Sequence, residues 1–248
     1  MYKLIAGVMI TTWAVASLFC PKGAQAGASS SLLQRSGALI SSLSHGQENV
    51  VSIFSGPDGL VGAVVQNGQQ HRDIAWLTPD GTALLAGTLL GSHGEDLTRQ
   101  AKVDQGWILS PDVALKRAEK SGRRGIISGA HGPLITLFFT PNRIVCHLLS
   151  AKLTPPLRAG KVRVRFVVVG TLKASSTPRG AAILSAASPT AALEKNEKTF
   201  DSRREEGGFS LSQSIRPAMI HVVEANSALF EATGLTGTPS TIYCDGRG

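Results

Sequence analysis

Between Ser31 and Leu43 apolar residues recur at helical intervals, at Leu32, Leu33, Leu39, Ile40 and Leu43, and they predict a first helix. The pattern then shortens to strand-length runs parted by turn residues. Residues 50–54 run into Gly56-Pro57-Asp58-Gly59, 60–65 into Asn67-Gly68, 73–77 into Thr78-Pro79-Asp80-Gly81, and 83–89 into Gly91-Ser92-His93-Gly94. Asn-Gly between two such runs is a strong hairpin signal, because both residues tolerate positive φ. A helix followed by a meander of about four strands predicts a small α+β domain.

From Ser110 the period becomes helical again. Ser110-Pro111-Asp112 has a capping hydroxyl followed by proline at the first helical position, and the helix it opens runs through 113–120 to Ser121-Gly122. Residues 134–139 are continuously apolar, as in a strand covered on both faces. After Pro141-Asn142 a helix is predicted over 144–153. Residues 161–169 alternate Lys161, Arg163 and Arg165 with Val162, Val164 and Phe166 and end apolar, which predicts a further strand. Residues 178–232 read as mostly helical, broken near Gly207-Gly208 and Pro217, and 240–243 as a short strand after Gly237-Thr238-Pro239. Strand, helix, strand, helices, Thr-Pro, strand is the order of a thioredoxin-type domain with helices inserted in its middle.

The N-terminus carries a different signal. Met1-Tyr2-Lys3 precedes an apolar run over 4–19 and then Ala24-Gln25-Ala26, the three-part pattern of a secretory leader with cleavage expected after Ala26. The run is shorter than the roughly 20 residues a spanning helix needs. Cys20 opens a lipoprotein alternative, against which stands the bulky Phe19 before it. The net charge of +8 includes Lys3 and Lys22 of the leader, and the densest basic group, Lys116, Arg117, Lys120, Arg123 and Arg124, fits the solvated face of one helix better than a nucleic-acid surface. With the leader gone, Cys146 and Cys244 remain of three cysteines, and spacing does not decide between one disulfide and free thiols. The six histidines, His45, His71, His93, His131, His147 and His221, show no metal-ligand spacing. Phosphate loops and nucleophile elbows are likewise missing.

Pro141-Asn142-Arg143-Ile144-Val145-Cys146-His147, after a predicted buried strand and opening a helix, resembles the Pro-Asn-Cys-Pro-Tyr-Cys-His active site of the DsbG/DsbC family of periplasmic thiol:disulfide interchange proteins. The stretch from Arg158-Ala159-Gly160-Lys161 to Val169-Gly170 is similar to the strand that follows in that family. The Ala-rich stretch 179–193 resembles its inserted helices, and Asn226, Leu229-Phe230, Gly234 and Gly237-Thr238-Pro239 match the approach to its cis-proline loop. Upstream, Gly59-Leu60-Val61-Gly62 and the segment from Ile74 to Gly81 resemble its dimerisation domain. The resemblance implies an α+β chain: an N-terminal cystatin-like dimerisation domain over 27–106, a linker helix over 107–129, and a thioredoxin-like domain with a helical insertion over 130–248. It also implies a periplasmic homodimer without cofactor, acting on partly folded exported proteins and, if redox-active, served by a membrane reductase of the DsbD type. Nucleic acid has no part in it.

Two departures qualify the resemblance. The family's first cysteine is replaced by Arg143, leaving Cys146 at the resolving position, and the sequence ends at Asp245-Gly246-Arg247-Gly248, short of the family's last strand and helix. The family reaction needs a thiolate at a helix N-terminus, where dipole and unpaired amides lower its pKa, and a second thiol to resolve the mixed disulfide. Cys146, about one helical turn further in, has three readings: a half-buried remnant, a reactive single thiol helped by Arg143, or a partner of Cys244. The last is disfavoured by a strand leading away from the site. Thr238-Pro239 is expected to be cis and to offer backbone groups to an extended client segment, the other reading being a trans turn. His147 either tunes local charge or takes part in thiol chemistry. The resulting expectation is client binding with weak or no redox turnover; a non-enzymatic adaptor and a decayed isomerase gene are the alternatives.

Overall fold

The computed structural model describes residues 23–85, 87–120, 125–211 and 215–243. Most of the expected leader (1–22, with Cys20), Arg123 and Arg124, and Cys244 lie outside the described residues. The chain divides into two compact units, Met1–Gly91 and Ser92–Gly248.

In the first unit α1 (Gly23–Leu43) starts earlier than the apolar pattern alone indicates. It packs on a sheet of antiparallel neighbours in the order β1 (Glu48–Ser55), β2 (Val61–Asn67), β3 (Arg72–Leu77) and β4 (Leu84–Leu85). Ile40, backed by Leu32 and Leu39, meets Val61, Ala63, Val65 and Leu77 in a shared core. On the strands, Phe54 packs edge-on against Trp76 with centroids 5.7 Å apart. One expectation needs correction. The strand predicted over 83–89 shrinks to the two residues that pair with Trp76 and Leu77. The β2–β3 hairpin expected at Asn67-Gly68 is present. The Asn67 carboxamide oxygen accepts the Gln69 and His71 amides at 3.0 Å each, and Gln70, with φ 64°, holds the left-handed position. An asparagine side chain that satisfies nearby amides supports a longer loop than the dipeptide indicates.

The second unit opens with α2 (Leu97–Asp104) and α3 (Pro111–Lys120). Asp96 caps α2, accepting the Arg99 amide at 2.7 Å. This helix buries only Thr98 and Ala101, so it leaves no apolar stripe in the sequence. α3 starts at Pro111, with Ser110 Oγ accepting the Val113 amide at 3.4 Å. Ala114 and Ala118 are buried on it, while Lys116, Arg117 and Lys120 face solvent. Next come β5 (Ile126–Ser128), β6 (Leu134–Phe139), α4 (Ile144–Arg158), β7 (Arg163–Val168), α5 (Ser176–Ser185), α6 (Pro189–Lys198), α7 (Pro217–Ala232) and β8 (Ser240–Ile242). The sheet order is β5-β7-β6-β8; β6 and β7 are parallel and the outer strands antiparallel to them.

The alternation along β6 and β7 divides the core. Leu137, Phe139, Val164, Phe166 and Val168 face α4, α5, α6 and the start of α7, whereas Phe138 and Val167 face α3 and the Leu229-Phe230 end of α7. Fully burying each of these side chains is worth roughly 1.5–3 kcal/mol. The helix expected over 144–153 is longer than that, although proline ordinarily ends a helix. α4 instead runs on through Pro155 and Pro156, whose carbonyls accept the Ala159 and Lys161 amides at 3.0 and 2.9 Å. Among the described residues no helix is long and apolar enough to cross a membrane.

Candidate functional site

β6 delivers the chain to Thr140, and a turn through Pro141 and Asn142 leads into α4, with Arg143 in extended conformation (φ −103°, ψ 124°) as its N-cap residue. The Arg143 amide closes the turn onto the Thr140 carbonyl at 3.3 Å, and the Arg143 carbonyl accepts the first helical bond from the His147 amide at 3.0 Å. Arg143 supplies no side-chain cap. That service comes from far away in sequence: the Ile144 amide donates to Glu205 Oε1 at 3.0 Å.

Cys146 is free and 0 % exposed, sealed between α4 and the core. Burial pushes its thiol above the ordinary range. Hydrogen bonding to the Thr140 backbone and the Thr238 hydroxyl and the nearby charge of Arg143 oppose this, and Glu197 reinforces it. The Thr238-Pro239 peptide bond is cis. Thr238 is buried, and its hydroxyl lies 2.9 Å from that of Thr140, which is also 2.9 Å from the Thr171 hydroxyl. Thr140 thus ties the end of β6 to the proline loop, and Arg143, Cys146 and Thr238 meet at one end of the sheet.

His147 points elsewhere. Its ring stacks on Phe200 with centroids 4.5 Å apart and planes 7° from parallel, and Nδ1 lies 3.1 Å from Glu197 Oε2. Burial raises the Glu197 carboxyl, against hydrogen bonds from Asn196 and His147 that lower it. His147 and Glu197 stand in the wall of a cavity of about 700 Å³ between α4, α6 and β5. The structure therefore brings Arg143, Cys146, Thr238 and Pro239 together and puts His147 on the neighbouring face of the helix.

A strap over 199–209, between α6 and α7, covers the start of α4. Asp201 and Glu206 bridge it to itself. Asn142 Oδ1 accepts the Gly207 amide at 3.0 Å. Asn196, 0 % exposed, donates to the Pro141 carbonyl at 3.0 Å and accepts the Phe209 amide at 3.2 Å. Arg179 pairs with Glu206 at 2.6 Å and also donates to the Phe209 carbonyl. Lys173 Nζ donates to the Arg204 and Glu205 carbonyls at 2.7 and 2.6 Å. The strap lies so close that a Cβ on Gly207 would stand 2.2 Å from Asn196 Oδ1, and one on Gly208 2.1 Å from the Thr199 carbonyl oxygen. The sequence gives no cue to Glu197, Asn196, Glu205, Arg179 or Lys173, since 194–198 looks like an ordinary solvated charge run.

A parallel strand-helix-strand unit, helices inserted after it, and a cis-proline loop leading to an antiparallel strand define a thioredoxin-like protein, with arginine at the mouth of the helix and a buried cysteine one turn in. No protein-family model matches the chain. It is 27% identical over 202 residues to the thiol:disulfide interchange protein DsbG of Pseudomonas aeruginosa, covering 80% of this chain and 76% of that one. To DsbG of Escherichia coli K12 it is 24% identical over 202 residues, covering 78% and 76%. Helicobacter pylori DsbG superposes with a TM-score of 0.44 at 15% identity, over 84% of this chain and 98% of that one. Over most of its length the chain is thus similar to the thiol:disulfide interchange proteins of the DsbG type.

Proposed function

We propose that this chain is a periplasmic, DsbG-like client-binding protein with weak or no redox turnover. One observation carries the reading: the N-cap of α4, where the family resemblance places the attacking thiol, holds Arg143, and the described thiol beside it, Cys146, is 0 % exposed. A guanidinium cannot attack a disulfide, and a sealed thiol that burial keeps protonated is a poor nucleophile. Even if Cys146 were reached, among the described residues it has no second thiol with which to close a ring and release a mixed disulfide. What remains is the cis-proline loop, whose backbone can pair with an extended client segment.

In this reading residues 1–26 are a cleaved leader, 27–106 a cystatin-like domain that pairs two copies, 107–129 the linker, whose helix is α3 and whose end, β5, already joins the sheet of the second unit, and 130–248 the thioredoxin-like domain. The clients are partly folded exported proteins, no cofactor is required, and a DsbD-type reductase is needed only if some turnover survives. Insulin reduction and refolding of scrambled ribonuclease test the redox half; both are expected at the level of the uncatalysed reaction. Suppression of client aggregation at near-stoichiometric protein tests the binding half. Robust turnover by the wild-type chain would overturn the reading.

A further inference from the structure

We infer that Glu205 sets the charge of this site: its carboxylate, held beside position 143, leaves any thiol there unactivated and suits the arginine that this chain carries. The inference rests on reading position 143 as the place of the missing nucleophile. Glu205 Oε1 accepts the amide of Ile144, the residue next to 143 and the first of α4. A thiolate at a helix N-cap owes its stability to the local positive potential and to unpaired amides. A carboxylate already seated there consumes one amide and puts a second negative charge where the thiolate would form, and like charges raise each other's pKa. A guanidinium at 143 meets the opposite situation.

The carboxylate is not a passing visitor. Lys173 grips the Glu205 backbone carbonyl at 2.6 Å, Arg179 fixes the adjacent Glu206, and Asn142 fixes Gly207. Glu205 keeps a φ of 50°, a conformation that side-chain-bearing residues rarely hold, so its placement is imposed by the strap. Of the other charges around the start of α4, Glu197 is engaged with His147, Glu206 with Arg179, and Lys173 with the strap carbonyls, while Arg203 and Arg204 beside Glu205 on the strap are exposed to solvent, where their charge is screened. Arg143 itself bears on Cys146 by charge alone.

The test compares Arg143→Cys with Arg143→Cys/Glu205→Gln in the full, reduced chain. Iodoacetamide alkylation of the thiol at position 143 is followed against pH by peptide mass spectrometry. Glutamine keeps an oxygen for the Ile144 amide and removes only the charge. The single variant is expected to titrate at or above the ordinary value of about 8.5. The double variant should titrate about one unit lower and alkylate roughly threefold faster at pH 6.5, the gain in thiolate being partly offset by its lower nucleophilicity. Arg143→Cys/Glu205→Asp should behave like the single variant, and Arg143→Cys/Glu205→Ser at least like the glutamine variant. A single variant already titrating well below 7, or no shift in either the glutamine or the serine variant, overturns the role of Glu205. Turnover by the wild-type chain would instead overturn the functional reading, whatever the alkylation profile shows.

Discussion

Cys146 and Glu197 are both groups whose charged form the fold opposes, and each makes a prediction at the scale of the residue. The thiol is sealed and pushed up by burial. Its alkylation in the native chain at pH 8 should therefore be at least tenfold slower than in denaturant, and equal rates would show that the seal is not real. Glu197 has a folded pKa above its unfolded value. The folded state then holds the proton more tightly, so the associated stability is complete below about 4.3 and is lost as pH rises through the folded pKa. Glu197→Gln never ionises. Its melting temperature relative to wild type should rise between pH 4 and pH 7. A constant difference across that range would remove burial as the cause. Asn196 is the uncharged counterpart: it is fully buried and bonded to Pro141, Phe209 and Glu197. Asn196→Ala should cost about 3 kcal/mol, because it strands buried partners, and denaturant unfolding reads this directly.

Among the elements, the strap over 199–209 separates what could be read from what could not. β6, the start of α4 and the proline loop were legible because each is written in contiguous residues: an apolar run, a Pro-Asn turn, a Thr-Pro pair. The strap is written across the chain. Its bonds join Asn142 to Gly207, Lys173 to Arg204 and Arg179 to Glu206, and no local pattern records such partners. The same holds for α2, a helix that buries too little to show a period, and for α4, whose prolines signal an end that its own carbonyls carry past. Arg179 is the strap's main anchor. Arg179→Met removes one side of a largely buried pair and should cost about 3 kcal/mol. It should also speed amide hydrogen exchange over 201–207 more than elsewhere, and a uniform change across the second unit would show that the strap does not open by itself.

At the scale of the whole molecule, the division at Gly91 and Ser92 falls in an exposed stretch that includes Glu95. Brief digestion with a glutamate-specific protease should cut there first and leave two resistant fragments, and a first cut inside the second unit would contradict the division. The order of elements in that unit, and so its kinship, was already visible in sequence as a succession of patterns. The consequence of the strap's closeness reaches further. Gly207 and Gly208 tolerate no side chain, yet neither takes part in any chemistry. A lineage in which the protein no longer matters would let such positions drift early, since most single-base changes at a glycine codon introduce a side chain. A lineage in which the protein still acts would purge them as strictly as if they were catalytic. Natural variants of this chain that differ at Arg143 or Cys146 but keep both glycines would mark selection on shape that does not depend on the residues at the mouth of α4.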